Sequence, residues 1–284
     1  MSGWRFVLSW RWAGYTALVI VFAIASCGFG NWQFDRRAEA QHAIALVEAN
    51  YEREPVPVAS ALDTLDAYDE SQKWTPVTLS GTYLKDEEVL VRNRPYRGSP
   101  GFEVLTPLLL DDGTVFVVNR GWVPTGNLQD APDSVAEAPD GRVTVVARLK
   151  EGEPILPGRS SPIGTNQIAT IHLPEVAERV DLPTYTGAYG AVESQEPAPS
   201  ETLVTPPKPE PDEGPHLSYA LQWYVFALLA FIGLGWALRQ EYRVVNSEDE
   251  RVQRDAERRE ARRSRRSPSD AEIEDALLDE AAHR

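Results

Sequence analysis

The sequence predicts a membrane protein of the α+β class: two transmembrane helices flanking one extracytoplasmic, mostly antiparallel β domain with short helices. Three observations predict it. Two charge-free apolar runs, residues 13–31 and 217–238, lie near the two ends. Between them, expected strands follow closely with few helices, and residues 74–84 alternate apolar and polar side chains, the period-2 pattern of a half-buried strand. Arginine is concentrated on one side of the second run, which sets its direction across a bilayer.

The first run, AGYTALVIVFAIASCGFGN, has 19 residues, enough to span about 28 Å at 1.5 Å per residue. Trp4, Trp10 and Trp12 precede it and Trp32 follows it, as interfacial aromatics do. The second, LSYALQWYVFALLAFIGLGWAL, spans about 33 Å. Tyr219, Trp223 and Tyr224 mark one end and Trp236 the other. An alternative applies to the first run. Ile24-Ala25-Ser26-Cys27 matches a bacterial lipobox, and cleavage there would leave a lipid on Cys27 in place of a span. Cys27 is the only cysteine, so an intramolecular disulfide, a CxxC redox motif and a cysteine zinc site are all excluded.

Arg239, Arg243, Arg251, Arg254 and Arg258 follow the second run, and Arg5 and Arg11 precede the first. Only Arg36, Arg37 and Lys208 lie near the opposite side. The positive-inside rule therefore predicts a cytoplasmic N-terminus (1–12), an extracytoplasmic domain (32–194), a Pro-rich acidic linker (195–216) and a cytoplasmic charged tail (239–284). Residues 31–216 carry 15 Lys and Arg against 30 Asp and Glu. Such a domain repels phosphate backbones, which excludes nucleic acid as a partner.

Residues 32–53 are rich in Ala, Glu, Gln and Arg and predict a helix continuing outward from the first span, ended by Pro55 and Pro57. Strands are expected at 74–84, 89–96, 101–110, 114–123, 142–150, 166–172 and 184–193. Asp111-Asp112-Gly113 forms a hairpin turn between two of them. A short helix is expected at 174–180, with Pro174 in its first turn. The sheet is expected to be mostly antiparallel, in a partly closed barrel. Residues 195–215 hold seven prolines and five acids and read as an extended linker. Residues 247–284 read as a solvated, partly disordered tail. Its six arginines between Arg258 and Arg266 offer a second reading, contact with anionic lipid or a cytoplasmic partner.

The sequence contains no phosphate-binding loop, GxSxG, HExxH or dinucleotide fingerprint. His216, Tyr219 and Trp223 share a helix face by their spacings of three and four. A histidine there can ligate iron while aromatics cover a porphyrin; an interfacial histidine in an ordinary aromatic belt has the same pattern. Arg94 and Arg120, near Arg92 and Arg97, can bind carboxylates through paired hydrogen bonds, or can form salt bridges with the abundant acids.

Four blocks in order resemble the Surfeit locus protein 1 family. They are Gly30-Asn31-Trp32-Gln33 with Arg36 or Arg37; Arg94-Pro95, Gly101-Phe102 and Thr106-Pro107; Val118-Asn119-Arg120-Gly121-Trp122-Val123-Pro124; and His216-Leu217-Ser218-Tyr219-Ala220-Leu221-Gln222-Trp223. Gly214-Pro215 stands where the family has asparagine before the histidine. The linker and tail resemble those of actinobacterial members, and the N-terminus shows no mitochondrial transit peptide, so a bacterial plasma membrane is expected. The resemblance implies a cytochrome c oxidase assembly factor without catalytic turnover. It implies heme a as cargo, delivered to the catalytic subunit. His216 would be the iron ligand, Tyr219 and Trp223 would line the site, and Arg94 or Arg120 would meet the propionates. The alternative is a structural stabiliser of the oxidase that needs no heme. A third reading is an unrelated membrane enzyme or extracytoplasmic sensor.

Overall fold

The structure is a computed structural model that describes residues 3–127, 130–162 and 164–264. These residues pack as two units: 3–37 with 215–264, and 38–214.

The first unit is a helical pair. A short 3₁₀ turn, Gly3–Leu8, leads into helix α1, Trp10–Asn50, whose residues up to Arg37 belong to this unit. Helix α4, His216–Val245, packs against α1. Arg11 pairs with Glu241, Phe29 stacks on Trp223, and Gln33 bonds His216. Numbers fall along α4 as they rise along α1, so the helices are antiparallel. Leu18, Val21, Ile24, Leu221, Leu228, Leu229 and Ile232 all point outward. A helix that is apolar where it is exposed is suited to lipid rather than to a soluble core. Two membrane-spanning helices thus bracket the chain.

Cys27 lies inside α1. Cleavage before it would remove Trp4, which stacks on Tyr242 at 4.5 Å, and Gly3, whose N–H donates to Asn246 at 2.7 Å. The unprocessed span accounts for this packing.

The tail is expected to be solvated and partly disordered, and its described part is a largely exposed helix. Helix α5 occupies Glu250–Ser264, built from good helix formers and an Arg254–Glu250 pair at 2.6 Å, four residues apart. The last part of the arginine-rich run, with the rest of 265–284, lies outside the described residues.

The second unit is a β-barrel with additions. Strands β1 (Val56–Pro57), β2 (Pro76–Tyr83), β3 (Val89–Val91), β4 (Gly101–Leu110), β5 (Val115–Pro124), β6 (Arg142–Glu151), β7 (Gln167–Ile168) and β8 (Ala188–Glu196) form one sheet in the order β1-β2-β6-β8-β5-β4-β3-β7. A further pairing of β2 with β4 closes a five-stranded ring. Gly81 makes the closure possible: a Cβ there would lie 2.0 Å from the Leu109 carbonyl oxygen. Alternate residues fill the inside, among them Leu79, Leu108, Phe116, Val118, Val145 and Leu149. On the outside, Leu105, Val117 and Tyr189 form a second core with Leu173 and Val176 of helix α3, Leu173–Val180. A single turn of helix, α2 (Val58–Ala61), follows β1.

The barrel is mostly antiparallel, but β1–β2, β3–β7 and β5–β8 are parallel. Three expected strands are corrected. The strand expected at 89–96 stops at Val91, because Asn93 and Arg97 take positive φ and Tyr96 and Ser99 exchange backbone bonds in a turn. That expected at 166–172 is reduced to Gln167–Ile168. The last strand runs from Ala188 to Glu196 rather than from 184 to 193. The Pro-rich segment also differs from a free linker. Val204 and Trp122 exchange both backbone hydrogen bonds, at 2.7 and 3.2 Å, and Lys208 reaches Glu52 at 2.6 Å.

Candidate functional site

In the helical pair, the residues that sequence reasoning grouped around His216 meet partners on α1 that it did not assign. His216 is the first residue of α4, preceded by Pro215, whose carbonyl accepts the Tyr219 N–H at 3.1 Å. Gly214 has a φ of 68°, a turn conformation that glycine takes without strain. Gly214-Pro215 therefore ends the preceding segment and starts the helix at the histidine.

The His216 Nδ1 lies 2.8 Å from the Gln33 Oε1. With the amide oxygen as acceptor, Nδ1 carries the proton and donates, and Nε2 keeps its lone pair. This is the arrangement a metal-ligating histidine needs: one nitrogen held by a fixed acceptor, the other free to bind. About two turns along α4, the Tyr224 hydroxyl donates to Asn31 Oδ1 at 2.6 Å. Gly30 admits the Tyr224 ring, since a Cβ there would lie 2.8 Å from it. Trp223 stacks on Phe29 at 4.9 Å and meets Phe226 edge-on. Tyr219 is exposed. Of the expected aromatic lining, Trp223 is thus committed to helix packing, whereas the Tyr219 ring is open.

The two arginines sit in the barrel unit. Arg120 is buried, with its side chain 4% exposed. It donates to Glu88 at 2.9 Å and to the Ala136 carbonyl at 2.8 Å, and lies over the Tyr83 ring. Thr106 donates to the same Glu88 oxygen. These surroundings fit the salt-bridge reading of Arg120, not a ligand contact. Arg94 donates to Glu153 and faces Glu103 at 3.9 Å. Burial would push the Glu153 carboxyl up, but the Arg94 hydrogen bond and the Ile171 N–H outweigh it and hold that carboxyl below its ordinary value. The Trp122 indole N–H donates to the Arg94 carbonyl at 2.6 Å. Arg94 remains partly accessible, beside a cavity that the sequence did not reveal.

Comparison with known proteins places these motifs. The model of the SURF1 family matches residues 20–228, a stretch that includes both ends of the Gln33–His216 bond. The chain belongs to the SURF1 family. A SURF1-like protein of Mycobacterium tuberculosis is 30% identical over 241 residues, covering 84% of this chain and 87% of that protein. A SURF1-like protein of Monosiga brevicollis is 31% identical over 150 residues, 49% of this chain and 55% of its own. The cytochrome oxidase assembly protein SHY1 of Saccharomyces cerevisiae is 32% identical over 118 residues, 41% of this chain and 29% of the yeast protein.

The SURF1 motifs thereby acquire a physical content in this chain. The Gly30-Asn31-Trp32-Gln33 block supplies a close approach, an acceptor for Tyr224 and an acceptor for His216. The His216-to-Trp223 block supplies the complementary donor and ring. The sequence carried a signal for this, since polar Asn31 and Gln33 close an otherwise apolar run. Which helix face they occupied was not readable without the second helix.

Proposed function

We propose that the protein is an assembly factor for cytochrome c oxidase that binds heme a and assists its insertion into, or stabilisation in, the catalytic subunit. The observation that carries this reading is the Gln33–His216 hydrogen bond, which leaves Nε2 of a half-buried histidine as a ready iron ligand at the end of a membrane span. Family membership and the similarity to the yeast cytochrome oxidase assembly protein SHY1 support the oxidase as partner. His216 would hold the iron, and the exposed Tyr219 ring, one helical turn on, would cover part of the macrocycle. Heme a is cargo in this reading, and the protein does no chemistry on it. The arginines after α4 support a bacterial plasma membrane orientation with both termini cytoplasmic and residues 38–214 outside. Lipid then surrounds the spans, and the membrane-embedded oxidase subunit is the partner within reach.

The experiment is deletion of the gene followed by complementation. Membranes of the deletion strain are expected to lose oxidase activity and a-type absorption, and the wild-type gene to restore both. A deletion strain with unchanged oxidase would sink the assembly role. Full restoration by His216→Ala would favour the reading in which the protein stabilises the oxidase without heme.

A further inference from the structure

The outer face of the barrel carries a second site, and none of its lining residues belongs to the His216 cluster. It is a cavity of about 460 Å³, within the range of roughly 300–1,000 Å³ typical of small-molecule pockets. Strand β6 supplies Arg148 and Lys150 as alternate residues on the face opposite the barrel core. The rings of Trp74 and Trp122 add apolar wall. Pro206 and Pro207 line it from the Pro-rich segment, which the Val204–Trp122 backbone pair and the Lys208–Glu52 ion pair tie down.

The charge of the cavity runs against that of its surroundings. Four basic residues line it (Arg94, Arg148, Lys150 and Lys208) against two acids, Glu103 and Glu193. Residues 31–216 as a whole have twice as many acids as bases. Three of the four cations are already paired: Arg94 with Glu153, Arg148 with Glu193 and Lys208 with Glu52. Lys150 is the exception. Among the described residues no carboxylate lies within ion-pair distance of its ammonium, which instead stands 5.5 Å from the Trp74 ring centroid and 5.6 Å from that of Tyr189. Burial lowers its pKa more than the more distant Glu103 and Glu153 carboxylates raise it, so holding this charge costs free energy that an arriving anion would offset.

We propose that this cavity binds a small planar carboxylate, its anionic group on Lys150 and its body against the Trp74 and Trp122 rings. One unpaired cation matches one negative charge. A phosphate dianion would bring a second charge toward Glu103 and Glu193, where it is repelled. The aromatic and proline walls reward an apolar body that phosphate lacks.

The test uses the full chain in nanodiscs, labelled with 5-fluorotryptophan, with the Trp74 and Trp122 signals assigned from Trp→Phe variants. The probe is 2-naphthoate, with neutral 2-naphthamide and inorganic phosphate in parallel titrations. Naphthoate is expected to shift both signals saturably. Naphthamide, phosphate and the Lys150→Met variant are each expected to bind at least about tenfold more weakly, and Lys150→Arg to stay within about threefold, as for loss or retention of one charge-assisted contact. The other six tryptophans all lie in the helical unit, so unchanged far-ultraviolet circular dichroism and an unchanged denaturation midpoint report that the barrel unit of each variant is folded. Absence of a saturable shift at millimolar naphthoate overturns the proposal. So does equal binding by naphthamide, by phosphate, or by folded Lys150→Met.

Discussion

The Nδ1 of His216, the first residue of α4, lies 2.8 Å from the amide oxygen of Gln33 on α1. Two motifs 183 residues apart thereby become one site. Gln33→Leu is expected to leave the helices paired through Asn31–Tyr224 and Phe29–Trp223 but to free the imidazole. If His216 ligates heme iron, the variant retains the ligand and loses its orientation. Heme affinity should then fall by about 10- to 100-fold, read by titrating heme into the purified chain. Equal affinity would show that Gln33 does not orient the ligand.

The close approach of the spans depends on Gly30. Gly30→Val places a side chain on the Tyr224 ring, whereas Gly28 faces open space. Gly30→Val is expected to lower the melting temperature of the detergent-solubilised chain by several degrees and Gly28→Ala to leave it unchanged. Equal effects of the two would refute this account of the helix contact.

Barrel closure makes a parallel prediction. Gly81→Ala brings a Cβ onto the Leu109 carbonyl at the β2–β4 seam, while Gly113 sits in an open turn at a φ of 86°. Gly81→Ala should cost more than about 2 kcal/mol. Gly113→Asn should cost under about 1 kcal/mol, because asparagine tolerates positive φ. Chemical denaturation of residues 38–214 within the intact chain measures both.

Glu153 sets an acid limit on the barrel unit. Its folded pKa lies below the ordinary value of 4.5, so the unfolded state takes up the proton first. The stabilisation is complete above pH 4.5 and is lost as pH falls through the folded pKa. The melting temperature should therefore fall with acidification below pH 4.5, and fall less steeply in Glu153→Gln. Identical slopes would assign the acid sensitivity to other carboxylates.

Cys27 lies in an unbroken helix whose earlier residues pack against α4. The mass of the purified protein should retain residues 3–26 and carry no lipid on Cys27, and Cys27→Ser should reach the membrane equally well. A diacylglyceryl adduct on Cys27 would overturn the two-span account.

Much of this molecule was legible in the sequence because its strongest signals are local. The spans announce themselves by charge-free length, and the strand Pro76–Tyr83 by the alternation of residues 74–84. The parts that were not legible depend on partners distant in sequence. Residues 92–96 look extended, but positive φ at Asn93 bends them away from the sheet. The parallel β5–β8 pair joins segments whose pattern does not specify direction. Residues 195–215 have the composition of a tether, yet Val204 finds an open backbone edge at Trp122. At the site, His216 was readable from its motif, whereas Arg120 differs from Arg94 only through the burial that surrounds it. Lys150 gave no signal of its own, because its distinction is that no carboxylate among the described residues reaches ion-pair distance, which only the fold decides.

The central claim is that His216 binds heme a. The most direct measurement is the absorption spectrum of the full chain purified after co-expression with heme a synthesis, with His216→Ala prepared alongside. The account predicts a-type bands in the wild type and their loss in a folded His216→Ala protein. A wild-type protein without a-type bands, or a variant with equal bands, would contradict it.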